Sequence, residues 1–343
     1  MSPPRIALVL GGGGARGLAH IGVLEILEQE GMSPCFLVGT SMGGVIAALA
    51  AAGRTSAEIH ELARGFRFPR RFIPGGFVSW DRIFAPAARA LAGLTFAGLA
   101  HPLALVAVDL EAGGQVVLHQ GPLLPSLRAT CAVPGVLPPI ALAGRWLVDG
   151  ALVNVLPVDV AAMAEPELVV AVRAGGHRHR SMPALRGPSA AIAIRLGQLV
   201  PNPLSARTAF EILVRSSEIA LDRQNTLAAA MVEPHVLVDA TVGDIGLRDF
   251  DRLDEAVAAG RQAASKALPA LRRALQGVES GTGAPAQLTL RVDPVCDMVV
   301  SPGRAAAVVA QGEETFYFCS VTCRDTFLRR VAGAGDAGSS GTL

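Results

Sequence analysis

The first 53 residues alternate between short apolar runs, glycine turns and helical patterns, and no other feature constrains the fold of this chain so tightly. Ile6 to Leu10 is an unbroken apolar run that stops at Gly11-Gly12-Gly13-Gly14. Apolar residues then recur at helical spacing, Ile21, Leu24 and Leu27, up to a stop at Gly31. A second run, Cys35 to Val38, leads through another glycine turn into an alanine-rich helical stretch, Met42 to Ala52, closed by Gly53. Strand, helix, strand, helix in this order is the pattern of a parallel sheet with helices packed on it, so the chain is predicted to be α/β.

Further strands are expected at Leu103 to Val108, Gln115 to Leu118, Trp146 to Val148, Leu168 to Val172 and His235 to Val238, all of which one sheet can hold. The apolar stretch from Ala85 to Leu110 is broken by Arg89 and by His101-Pro102, so it reads as a buried helix followed by a strand and not as a membrane span. Residues 254 to 275 carry a helical pattern, and Gly277 to Gln287 has the glycine, serine and proline content of a linker. The expected organisation is a domain over 1–275, a linker over 276–288, a small module over 289–330 and a flexible tail over 331–343.

With 51% hydrophobic and 17% charged residues the chain has enough apolar material for a large core. A net charge of +1 provides no global attraction for nucleic acid, which is not expected as a partner. The cysteines number five, an odd count that argues for reduced thiols instead of a disulfide scaffold. The opening apolar run ends in glycines without a small-residue cleavage site, so a signal peptide is not expected and a cytoplasmic location is.

Gly39-Thr40-Ser41-Met42-Gly43 is a G-x-S-x-G motif between an apolar strand and a helix, the context that gives the motif chemical meaning. Such a turn strains the serine backbone and projects its hydroxyl, while the helix start places N–H groups beside a reacting carbonyl. Upstream, Gly11 to Gly17 follows one strand and opens one helix, leaving consecutive N–H groups to face a negative oxygen. The same loop fits G-x-G-x-x-G through Gly12, Gly14 and Gly17, but the second strand runs into Gly39-Thr40-Ser41 where a dinucleotide site needs an acid. A phosphate loop is disfavoured too, because the segment holds no lysine. The third element is Asp149-Gly150-Ala151 after the strand at Trp146 to Val148, either a base aimed at a serine or an ordinary Asp-Gly turn.

In this order and spacing the three elements resemble the patatin-like phospholipase family, especially its bacterial members, over about residues 5 to 265. Ala107 to Leu110, Arg128 to Pro139 (RATCAVPGVLPP) and Asp244 to Phe250 (DIGLRDF) are similar as well. The resemblance implies a three-layer sandwich with a mostly parallel central sheet. It also implies Ser41 as nucleophile, Asp149 as its base in a Ser-Asp dyad, and Gly12, Gly13 and Gly14 with Arg16 in the oxyanion loop. Gly17, Gly39, Gly43, Gly150 and Ala151 complete the motifs. A lipid or other acyl ester, met at a membrane surface, is the implied substrate, with no cofactor for hydrolysis. One departure is Gly11, where plant members have aspartate and bacterial members commonly have glycine.

A Ser-His-Asp triad is the rival arrangement, since His177, His179 and His235 all follow Asp149, but none sits in a motif. His20 on the first helix reads as structural. Arg16 could meet a phosphate head group or brace the fold. The segments Phe66 to Phe77 and Phe84 to Phe96 could line an acyl groove or simply pack.

Near the C-terminus Cys296, Cys319 and Cys323 have the spacing C-x22-C-x3-C, so three thiolates can converge on a soft metal such as Zn(II) or Cu(I). Asp293-Pro294-Val295-Cys296, Met298 and Tyr317 to Ser320 resemble the YHS domain, which implies a small treble-clef-like module; Asp297 departs from the usual glycine. The competing functional reading is a metal-responsive regulator or scaffold with weak hydrolase activity.

Overall fold

The computed structural model describes residues 4–69, 78–175, 212, 216, 219–220, 234–279, 291–295, 299–300, 305–312, 314–318 and 321–336. An eight-stranded, mostly parallel sheet organises the larger unit. Its strands are β1 Ile6–Leu10, β2 Phe36–Thr40, β3 Leu103–Asp109, β4 Gln115–Leu118, β5 Ile140–Leu142, β6 Arg145–Asp149, β7 Leu168–Gly175 and β8 Val236–Thr241. Its helices include α1 Ala19–Gln29, α2 Met42–Ala51, α3 Ser56–Ala63, α4 Trp80–Ile83, α5 Ala85–Ala90, α6 Leu123–Thr130, α7 Val158–Ala162 and α8 Leu253–Glu279.

Central strands are apolar on both faces because helices cover both. All five residues of β1 are buried, as are all five of β2 and all seven of β3. Side chains alternate between two cores. Leu8, Leu10, Leu37 and Leu105 face α1, α2 and α8, whereas Ala7, Val9, Val38 and Val106 face α7. Each fully buried leucine or valine contributes about 1.5–3 kcal/mol relative to exposure. β8 shows the other pattern: Val236, Val238 and Ala240 point inward while Asp239 and Thr241 are exposed, as suits a strand at the margin.

The expected α/β class, sheet and layers are present, with β5 as an additional strand. The stretch from Ala85 holds α5 and then β3, the expected order, but only Ala87 of α5 is buried, so the helix lies at the margin of the core and is not the buried helix expected. Among the described residues no helix is long and apolar enough to cross a membrane. Phe66, Phe84 and Phe96 are buried, and Phe84 makes edge contacts with Phe66 and Phe250, so these rings pack; residues 70–77 lie outside the described residues. Helix α8 runs to Glu279, four residues into the segment read as linker.

The C-terminal segment contains the strand pairs β9 Arg291–Val292 with β10 Val299–Val300 and β11 Ala307–Gln311 with β12 Glu314–Phe318, then α9 Val321–Asp336. Phe318 is fully buried and stacks near Phe327, which also meets Phe316, giving this small unit an aromatic centre. Helix α9 extends to Asp336, into the segment read as tail.

Register around β3 fixes the position of everything that follows. Leu105 and Val106 pair with β2 and also with β4, so those two strands lie on opposite sides of β3. Ala107 and Val108 pair with β4 and also with β6, so β6 lies opposite β4. Strands β2 and β6 therefore meet end to end along one side of β3.

Candidate active site

Strand β2 ends at Thr40, and the chain turns at Ser41 with φ 55° and ψ −126° before α2 begins at Met42. A non-glycine residue with positive φ stores roughly 1–2 kcal/mol of backbone strain. The turn closes only because its flanks are glycine. A Cβ at Gly43 would lie 2.0 Å from the Leu10 carbonyl oxygen, and one at Gly39 would lie 2.5 Å from Gly44 Cα.

Opposite the turn, β6 delivers Asp149. Ala107 pairs with Asp149 one register position beyond the Thr40 and Val106 pair, so the two strand ends face each other. Ser41 Oγ donates to Asp149 Oδ2 over 2.7 Å, a contact between residues 108 apart in sequence. Asp149 Oδ1 accepts from the Ala151 N–H at 2.8 Å. Gly150 permits this approach, since a Cβ there would stand 2.2 Å from the Val106 carbonyl oxygen.

Burial dominates the electrostatics. Ser41 is 7% and Asp149 3% exposed. Desolvation pushes the Asp149 carboxyl up to about 7, against the opposing pull of the Ala151 N–H and the Ser41 hydroxyl, both of which favour the carboxylate. A carboxyl with proton affinity near neutrality can act as a general base, which an ordinary surface aspartate does poorly.

The glycine loop lies beside this pair and divides its labour by residue. The Gly12 N–H donates to the Val155 carbonyl at 2.8 Å, so it does not face a ligand; Gly12 instead supplies room, as its Cβ would sit 3.5 Å from Ser41 Cβ. Among the described residues the N–H groups of Gly13 and Gly14 have no acceptor, and the first N–H groups of α2 lack intrahelical partners. Gly14 has φ 54° and abuts Leu247, whose carbonyl accepts from the Ala15 N–H at 2.9 Å. Arg16 is buried, and its Nε donates to the Ile245 carbonyl at 3.1 Å, so this side chain braces the loop. A Cβ at Gly17 would meet Met42 Cγ at 2.6 Å.

His20 and His235 serve the scaffold. His20 is fully buried and its Nε2 lies 2.7 Å from the Gly11 carbonyl oxygen; since a carbonyl only accepts, the proton is assigned to Nε2. Burial holds His20 down at about 4, so the ring is neutral. His235 Nδ1 accepts from the Val169 N–H at 3.0 Å. His177 and His179 lie outside the described residues, as do Cys296 and Cys319, while Cys323 occupies the first turn of α9. Cys35 and Cys131 are unbridged thiols.

Three contributors carry no recognisable motif of their own. Thr130, inside RATCAVPGVLPP, accepts from the Ser41 N–H at 3.0 Å. Thr40 Oγ1 donates to the Asn154 carbonyl at 3.0 Å, tying β2 to the loop after Asp149. Asn154 Nδ2 in turn donates to Gln115 Oε1 and Asp159 Oδ1, each at 2.7 Å. The likeness of the Arg128 to Pro139 stretch to other chains was the one available signal for Thr130.

The site thus joins a serine in a strained strand-to-helix turn, a buried carboxyl as its partner and a glycine loop with open N–H groups, all carried by an α/β sheet. Residues 8–162 match the family model "Patatin-like phospholipase", which supports the patatin-like family for this domain. An NTE family protein of Mycobacterium tuberculosis is 36% identical over 182 residues, covering 51% of this chain and 50% of that protein. An NTE family protein of Mycobacterium bovis is 30% identical over 286 residues, covering 77% of this chain and 46% of that protein. The patatin-like phospholipase domain-containing protein 6 of Mus musculus is 32% identical over 185 residues, 50% of this chain and 13% of that protein. The chain thus spans about half the length or less of these curated relatives. Among solved structures, VipD from Legionella pneumophila aligns with TM-score 0.44 and 15% identity over 78% of this chain and 68% of that one.

Proposed function

We propose that the chain is a serine lipid-acyl hydrolase, a carboxylic ester hydrolase acting on phospholipid, lysophospholipid or a related fatty acyl ester. The observation that carries this reading is the 2.7 Å hydrogen bond from Ser41 Oγ to a buried carboxylate whose proton affinity is raised to about 7. Asp149 takes the Ser41 proton as the oxygen attacks the acyl carbonyl carbon. The negative charge that develops on the carbonyl oxygen is held by the N–H groups of Gly13 and Gly14 and the start of α2. Collapse of the tetrahedral intermediate breaks the ester bond, and the proton on Asp149 passes to the departing alcohol oxygen. A water then gives a proton to Asp149 and attacks the acyl-serine; the proton returns to Ser41 as the fatty acid leaves.

Leu152 and Val153, directly after the Asp149 turn, are each nearly half exposed and offer apolar contact for an acyl chain brought from a lipid surface. We read residues 289–330 as a separate module in which Cys296, Cys319 and Cys323 would supply thiolates to a soft metal; metal content of the purified protein with and without Cys319→Ser tests that part.

Turnover of p-nitrophenyl acyl esters by the native chain and by Ser41→Ala tests the hydrolase. The reading expects release of p-nitrophenol that disappears in the variant, and equal rates end it.

A further inference from the structure

The parallel ladder between β2 and β3 follows a simple rule: every second β2 residue, from Leu37 on, donates its N–H to the carbonyl one residue before its β3 partner. Leu37 pairs with Leu103 and donates to the Pro102 carbonyl at 3.0 Å. Extended to the end of β2, the same rule would pair Ser41 with Ala107 and send the Ser41 N–H to the Val106 carbonyl. Neither happens. Asp149 takes the place beside Ala107. Between Ser41 and Val106 stands the hydroxyl of Thr130, which accepts from the Ser41 N–H at 3.0 Å and donates to the Val106 carbonyl at 2.5 Å.

Thr130 therefore fills the missing rung with one oxygen atom. Its single proton goes to Val106 and its lone pair to Ser41, so the orientation of the hydroxyl is fully determined. The residue is completely buried at the C-terminal end of α6, where no bulk solvent can replace it. Its methyl has a different neighbour, since Thr130 Cγ2 packs close to Gly44 on α2. The two substituents on one β-carbon thus touch two different things: the oxygen touches the nucleophile's backbone and the carbon touches the helix behind it.

Without the oxygen, the Ser41 N–H and the Val106 carbonyl would be left facing each other unpaired in a dry site, an unfavourable state. The nearest repair is the direct rung, which would draw Ser41 toward β3 and into the space that Asp149 uses. We propose that Thr130 is a positioning residue for the nucleophile: its hydroxyl is a spacer that holds the end of β2 off β3 and thereby sets the approach of Ser41 Oγ to Asp149. The kinetic part of this proposal rests on the hydrolase reading above; the geometric part does not.

Substitution separates the oxygen from the methyl. Thr130→Val keeps the shape and loses the hydroxyl, whereas Thr130→Ser keeps the hydroxyl and loses the methyl. With p-nitrophenyl butyrate, Thr130→Val is expected to lower kcat by 10- to 100-fold, about the effect of a 1 Å misplacement, with KM changed by less than about twofold. Thr130→Ser is expected to keep kcat within about threefold of the native chain. A valine variant as fast as the native chain, or a serine variant that falls with it, overturns the proposal. If Thr130→Val does not fold, Thr130→Cys takes its place, with the same tenfold loss expected and a native kcat as the contrary result. If the native chain hydrolyses no ester, the hydrolase reading fails, and a crystal structure of Thr130→Val still judges the spacer. A direct Ser41 N–H to Val106 hydrogen bond with a lengthened Ser41 to Asp149 contact supports it, and an unmoved turn overturns it.

Discussion

Asp149 is paired in register with Ala107 on β3, at the position that strand β2 would occupy if it ran one residue past Thr40. Ser41 leaves the sheet there and Asp149 enters it. Two segments 108 residues apart in sequence are thus brought to one point by backbone pairing, before any side chain is considered.

Burial of Asp149 sets a pH dependence. Only the carboxylate can take the Ser41 proton, and desolvation raises this carboxyl to about 7. The rate constant kcat/KM is expected to rise with pH, close to tenfold per unit well below 7, and to level off above about 8. A profile of kcat/KM from pH 5 to 9 checks this, and a plateau already reached at pH 5 contradicts it.

The same burial costs stability at alkaline pH. The folded-state value of Asp149 lies above its ordinary 3.8, so its burial supports folding at low pH and that support is lost as pH rises through about 7. Asp149→Asn, which carries no charge to bury, is expected to unfold at higher urea than the native chain at pH 9, by roughly 2–4 kcal/mol in stability. The gain should shrink to about 1 kcal/mol by pH 5. Equal midpoints at pH 9 would refute this.

Two glycines on α8 make a matched pair. A Cβ at Gly260 would stand 1.9 Å from the Ala19 carbonyl oxygen on α1, whereas a Cβ at Gly277 meets nothing within 4 Å among the described residues. Gly260→Ala must push two helices apart and is expected to cost about 1–3 kcal/mol or more. Gly277→Ala should be neutral or stabilise by up to ~1 kcal/mol, because alanine favours helix. Thermal melts of both variants distinguish these outcomes.

His20 and His235 are expected not to act as bases. His235→Ala should keep kcat within about threefold of the native chain, since the ring only accepts from the Val169 N–H. His20→Ala is expected to lower activity through the Gly11 loop while leaving the midpoint of the pH profile in place, as the ring is neutral across that range. A profile midpoint that moves with either substitution would point to a histidine base.

Much of this was legible in the sequence, because β1 and β2 announce themselves as apolar runs ended by glycine and Ser41 sits in a motif whose flanks are sterically required. Legibility failed where structure depends on pairing between distant segments. Strand β5 has three residues directly after Pro138-Pro139 and only its partner β6 makes it a strand. The glycine loop looked uniform, yet Val155 and Leu247 decide which of its N–H groups are occupied and which residues can fit. Thr130 ends an ordinary helix, and its meaning comes from lying between Ser41 and Val106. Likewise, Arg16 could not be assigned until Ile245 was seen to accept from it.

The central claim is that a buried aspartate, without a histidine, activates Ser41. The kcat of Asp149→Asn on p-nitrophenyl butyrate at pH 8 tests it most directly, in protein shown by circular dichroism to be folded. A fall of roughly three orders of magnitude or more is expected. A variant that keeps kcat within about tenfold of the native chain would contradict the account and move the search for the base elsewhere.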